Sequence, residues 1–196
     1  MRRNENIISS DLQPQDMDAK REAYNILIKK YSKRLFDFGY RFCQDDELVK
    51  DCIQQLYLDL WNRGFNISQT DTIKSYLFKS IRNRVLREKS KWANNELLDD
   101  KYDFILDVGI EEKLIADSRD VELAEKIQKV INTLPPRQRE ILYLRFYEDL
   151  SMQQISTIMN INKQSVYNLL QKAYQNFRLD WVTLVFLLSY FPKRIN

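Results

Sequence analysis

Apolar residues recur at intervals of three and four along most of this chain, the spacing that collects them on one face of an α-helix. Tyr24, Leu27, Ile28, Tyr31, Leu35 and Phe38 form the first such stripe and predict a helix with that face buried. Leu48, Val49, Cys52, Ile53, Leu56, Tyr57 and Leu60 form the second, with Asp45 or Asp46 placed to cap its N-terminus. The opposite face of this helix carries Asp51, Gln54, Gln55 and Leu58. Periodicity alone makes that face a solvated surface, although a leucine among carboxylate and amide groups is also what a docking face shows. A loop follows from Arg63 to Thr72, with the turn formers Gly64, Asn66, Ser68 and Asp71. A third helix starts near Thr72, its apolar positions being Tyr76, Leu77, Phe78, Ile81, Val85 and Leu86.

The pattern resumes later in the chain. Leu123, Ile127, Val130, Ile131 and Leu134 predict a helix that Pro135 and Pro136 end by removing donors and fixing φ. Another helix restarts at once through Gln138, Ile141, Leu142 and Phe146, and the polar stretch Glu148 to Ser151 closes it. From Ser151, a short helix with Ile155, Ile158 and Met159 leads to a turn at Asn160 and Ile161. A longer helix with Val166, Leu170, Ala173 and Phe177 follows. This is helix-turn-helix spacing, with Ser151 able to cap the short helix and Asn160 where left-handed φ is needed. Off the apolar stripe of the longer helix lie Lys163, Gln164, Ser165, Tyr167, Asn168, Gln171 and Lys172. Amides can bond base edges there, and cations, hydroxyls and the helix N-terminus can hold phosphates. A plain helical hairpin has the same periodicity and stands as the alternative.

Composition supports the all-α reading: the 196 residues include only three glycines and four prolines. Histidine is absent, which removes the usual general base near neutral pH and the commonest zinc ligand, so no enzyme activity, metal or cofactor is expected. Cys43 and Cys52 form no CxxC pair and read as small buried residues of a reducing compartment. The first residues are polar, without an apolar export signal, and residues 1–17 are expected to be flexible. The apolar run Trp181 to Phe191 is too short to span a bilayer, so no membrane insertion and a cytoplasmic location are expected.

The net charge of +3 conceals an uneven distribution. From Lys74 to Trp92, seven bases face the single acid Glu88. Aromatics interleaved with bases suit single-stranded nucleic acid, but the same aromatics can be core and the cations a solubilising surface. From Ala93 to Glu122, ten acids face three bases. The sign flips at Trp92, and this acidic stretch with weak periodicity reads as a linker. The expected organisation is thus two helical domains joined by an acidic linker: residues 18–92, a linker over 93–121, and 122–179, with an apolar tail over 180–196. The second domain is expected to be a four-helix, winged-helix-like helix-turn-helix.

Four segments in this order resemble the extracytoplasmic-function (ECF) group of bacterial sigma factors, which keep only regions 2 and 4 of the sigma-70 family. Asp46 to Trp61 is similar to region 2.2, Ser75 to Leu86 to regions 2.3 and 2.4, Leu134 to Leu142 to region 4.1, and Leu150 to Arg178 to region 4.2. The resemblance implies a bacterial transcription initiation factor that binds RNA polymerase core through its β′ coiled coil and β flap. It would direct the polymerase to promoter DNA. It makes Asp51, Gln54, Gln55 and Leu58 candidates for core binding, overturning the solvated-face reading. It implies that the loop Phe65 to Thr72 takes up a flipped minus-ten base, with Asn83 near that pocket and Lys79, Arg82, Arg84 and Arg87 on the strand backbone. Lys163, Gln164, Ser165, Tyr167, Asn168, Gln171 and Lys172 would meet the minus-thirty-five duplex. The acidic linker would run through polymerase channels built for nucleic acid.

The pattern departs from the family at Gln55, where glutamate is frequent, at Asn160 for glycine, at Ser156 for alanine and at Leu169 for a polar residue. These departures bear on which side chains of the recognition helix reach bases. The tail is expected to pack on region 4, with an anti-sigma factor as the other partner it could meet. The rival functions are a dimeric helix-turn-helix regulator that does not touch core polymerase, and a protein-binding adaptor that binds no DNA.

Overall fold

The first apolar stripe folds into one long helix, α1 (Pro14–Cys43), in the computed structural model, which describes residues 14–62, 70–92, 102–107 and 127–176. The helix begins earlier than the flexible segment expected through residue 17 allows; residues 1–13 lie outside the described ones. The turn out of α1 is made by Gln44 at φ 54, whose N–H returns to the Tyr40 carbonyl at 2.8 Å. Asp45 then caps α2 (Asp46–Asn62), its carboxylate accepting from the Leu48 N–H at 3.0 Å, while Asp46 and Glu47 complement the positive helix end. The third helix is α3 (Thr70–Trp92).

These three helices share one core. Leu35, Phe38 and Phe42 of α1, Leu56 and Leu60 of α2, and Leu77, Phe78 and Ile81 of α3 are all 1% exposed or less. Phe38 meets both Phe42 and Phe78 at ring distances of 5.1 Å, in the edge-on and tilted geometries aromatic quadrupoles prefer. Gly39 permits the close crossing of α1 and α2, because a Cβ there would stand 3.0 Å from a Val49 methyl. At the far end of α3, Lys89 donates to the Phe42 carbonyl at 2.6 Å and satisfies the C-terminus of α1. Ile28 departs from expectation: it lies within the predicted stripe yet is 38% exposed, because it lines an open concavity between α1 and α2 instead of the shared core.

Contacts divide the chain after Trp92 into two units. In the second, residues 127–133 form α4, followed by α5 (Pro136–Leu142), which widens into one π-helical turn, Tyr143–Tyr147. Then come α6 (Met152–Met159) and α7 (Lys163–Asn176). All described secondary structure is helical, as the periodicity predicts. The core is built from Ile127, Ile131, Ile141, Leu144, Leu150, Ile155, Ile158, Val166 and Leu170. Three polar residues of the α5 region, Gln138, Glu140 and Glu148, are also buried. Tyr143 donates to Glu148 at 3.2 Å, and Asn176 to Gln138 at 2.9 Å, so burial of these groups is matched by hydrogen bonds. Glu148 thus belongs to the interior, although its polar neighbourhood reads as an exposed loop.

The expected linker is not uniform. Residues 102–107 are extended and pack on the second unit, with Tyr102, Phe104 and Leu106 at 7%, 0% and 8% exposure. The alternation is that of an extended chain lying on an apolar surface, Asp103 and Asp107 facing outward. Acid content hid this short apolar pattern. The remainder of the linker, the loop from Phe65 to Gln69 and the tail over 180–196 lie outside the described residues.

Candidate nucleic-acid interface

Helical phase on α3 decides which of its bases can meet a ligand. Tyr76, Lys79, Asn83 and Arg87 follow one another at spacings of three and four; Asn83 and Arg87 are exposed, Tyr76 and Lys79 half-buried. They form a strip with one ring, one amide and two cations. Two of the predicted contacts lie elsewhere. Arg82 is 1% exposed, among the largest fully buried side chains of the described residues, so it does not project toward a strand. Arg84 points to α2 and binds the Asp59 carboxylate at 2.5 Å, the two side chains being 19% and 28% exposed. The ion pair ties α3 to α2 and takes this guanidinium out of the outward strip. Lys91 is likewise engaged within its own helix, and its hydrogen bond to Glu88 lowers that carboxyl below its ordinary pKa.

Asp51, Gln54, Gln55 and Leu58 are all exposed and follow one face of α2, Leu58 at 49%. Gln55 donates to Asp59 at 3.2 Å. Leu58 and Gln54 also line a concavity between α2 and α1, whose other wall includes Arg21, Asn25 and Ile28. Trp61 also lines it, held edge-on by Tyr24 at 4.9 Å and covered by Lys20. The α1 side of this surface is missing from the sequence reading. Its sequence signal is Ile28, which the apolar periodicity of α1 places in the core stripe. Ser32 and Tyr57 share a hydrogen bond at 3.2 Å that joins the two helices, and burial raises the Tyr57 phenol.

In the second unit, local chemistry fixes the helix pair. Ser151 accepts from the Gln154 N–H, and the Gln154 side chain accepts from the Ser151 N–H at 2.8 Å, a reciprocal capping box. Asn160 has φ 54 and ψ 44, the left-handed conformation expected of it. The Ser156 hydroxyl donates to the Ile161 carbonyl at 2.6 Å, which braces the turn from inside; an alanine there could not. Asn162 caps α7 through its carboxamide oxygen, which accepts from the Ser165 N–H at 2.7 Å. On α7, Lys163, Gln164, Tyr167, Asn168, Gln171 and Lys172 are exposed, Ser165 is half-buried, and no acidic residue interrupts the face. Gln164 donates to Asn168 at 3.0 Å, so two amides are presented together. That surface can bond base edges and phosphates at once.

Among the described residues, no cluster of Cys, Asp and Glu could hold a metal ion, and no helix is long and apolar enough to cross a membrane.

Two family profiles match the chain: Sigma-70 region 2 over residues 27–96, and Sigma-70, region 4 over residues 124–176, together more than half its length. The chain is 28% identical to RNA polymerase sigma factor SigV of Bacillus subtilis strain 168 over 143 residues, 73% of this chain and 80% of the relative. It is 22% identical to ECF RNA polymerase sigma factor SigM of the same organism over 152 residues, 78% of this chain and 91% of the relative.

Proposed function

We propose, from the premise that this chain belongs to the sigma-70 family and is an ECF sigma factor, a division of its work among three surfaces. The family serves transcription initiation, is not enzymatic, and acts with RNA polymerase core and promoter DNA. In our reading the α2 face of Asp51, Gln54, Gln55 and Leu58 docks on the β′ coiled coil, with the α1 wall of the concavity extending it. The α3 strip of Tyr76, Lys79, Asn83 and Arg87 holds the unpaired minus-ten strand, the ring stacking on a base and the cations neutralising phosphates. The α7 face anchors the minus-thirty-five duplex in its major groove, while the second unit meets the β flap.

The observation that carries this assignment is the exposed α2 face, set against the buried Val49, Cys52, Leu56 and Leu60 of the same helix and containing a half-exposed leucine. A monomeric regulator of duplex DNA would have no use for it, and a dimeric one would cover it with a second copy, which the core-binding test distinguishes. The test combines purified core polymerase with the protein on fragments of its genome. Promoter-specific transcripts are expected, and Asp51→Ala with Gln54→Ala should abolish co-elution with core while leaving duplex binding intact. Unchanged core binding by that double variant would transfer the docking role elsewhere; duplex binding without any specific initiation would favour the dimeric regulator.

A further inference from the structure

We propose that Tyr102–Asp107 is a releasable clip, docked on α4 and α5 in the unbound factor, which keeps the tether between the two units short until polymerase and promoter draw them apart. The inference rests on the promoter reading above for its purpose, and on the geometry of the second unit for its existence. Three side chains enter the unit: Tyr102 donates its hydroxyl to the carboxylate of Glu140, Phe104 lies edge-on to Tyr143 at 5.9 Å, and Leu106 is buried beside them. Two polar contacts flank these anchors. Arg139 meets Asp103 at 3.2 Å, and the Gln128 side chain donates to the Leu106 carbonyl at 3.0 Å. The segment joins no β-ladder. It is therefore held by side chains and can detach in one piece without disrupting a sheet.

Docking changes the reach of the chain. With the clip in place, about ten residue steps join Trp92 to Tyr102, which limits their separation to at most ~35 Å. With the clip released, the tether runs on to α4 and can extend to on the order of 120 Å. Elements near minus ten and minus thirty-five lie roughly 25 base pairs apart, about 85 Å of duplex at 3.4 Å per pair. Even fully stretched, the docked tether covers less than half of that length, whereas the released one exceeds it. Clip residues also place acids on the outside, Asp103 and Asp107, so a released segment is as anionic as the rest of the linker.

The test uses the full chain with Cys43→Ser and Cys52→Ala as background. Asp103→Cys and Arg139→Cys are joined by a bismaleimide that contains a cleavable disulfide. Cross-linking is expected in the unbound protein, with at least a tenfold loss of promoter-specific transcript that reductant restores. Failure to cross-link, or equal transcription with the clip locked and cleaved, would overturn the proposal. A second measurement needs no polymerase: energy transfer between dyes on Lys50→Cys and Lys172→Cys in the same background. Tyr102→Phe with Asp103→Ala should lengthen the mean distance between the units, and an unchanged distance overturns the clip. Should the wild-type chain direct no transcription, the promoter reading fails, and this second measurement still decides whether the clip exists.

Discussion

Arg82 and Arg87 stand five positions apart on α3 and carry the same charge, yet one is 1% exposed and the other faces solvent. A buried guanidinium organises its surroundings through several donors, and removing it strands those partners and opens a cavity. Arg82→Ala should therefore lower the unfolding free energy of the first unit by about 2–4 kcal/mol, read by urea denaturation. Arg87→Ala should leave stability within about 0.5 kcal/mol and weaken single-strand binding instead. Equal loss of stability in both would show that burial does not separate their roles. Which arginine projects was not legible in the sequence, because a run of bases states how much charge a helix carries and not its rotation about the axis. Cys52 was legible as a buried thiol. Burial, with a smaller contribution from Glu88, pushes it from 9.0 up to about 11. The folded state then holds this proton more tightly than the unfolded one. Its stabilising contribution is complete below pH 9 and lost as pH rises toward 11. Cys52→Ala should make the fall of the urea midpoint across that window shallower, and a parallel fall in wild type and variant would contradict the assignment.

At the scale of elements, local chemistry separates what was readable from what was not. The helix-turn-helix was readable because its stops are short-range: Ser151 with Gln154, Asn160 in the left-handed region and Asn162 on the next helix all act within four residues. Ser151→Ala removes the capping hydroxyl and should cost about 1 kcal/mol, measured by thermal unfolding, whereas Ser151→Asp should restore most of it. The π-helical turn at Tyr143–Tyr147 was not readable, since its apolar spacing is that of an ordinary helix end, and it coincides with the burial of Tyr143 and Glu148, which only the tertiary structure shows. Nor was the docked segment, whose three apolar residues alternate with acids over only six positions. Burying three side chains contributes roughly 5–9 kcal/mol, and ordering six residues costs roughly 6–12 kcal/mol. The two nearly cancel. A segment so balanced stays in place through its flanking hydrogen bonds, which is the energetic condition for reversible release.

For the molecule as a whole, the division of charge matters more than its sum. A net charge of +3 would scarcely attract a polyanion, but the chain concentrates cations on α3 and α7 and acids between them. If both cationic faces engage DNA as proposed, they release counterions from two distant stretches, and affinity should fall linearly on a log–log plot against salt. Each cation that contacts a phosphate adds close to one unit to that slope on duplex and somewhat less on single strand. Lys163→Ala and Lys172→Ala should each reduce the slope of the polymerase complex on duplex promoter by about one, without changing which promoter is preferred. Asn168→Ala should do the reverse, relaxing preference within the upstream element while leaving the slope intact, because an uncharged amide releases no ion. Titrations of wild type and the three variants across a range of salt concentrations separate these outcomes. If Lys163→Ala or Lys172→Ala left the slope unchanged, α7 would not be lying along phosphates. The upstream contact would then have to be sought on another face of the second unit.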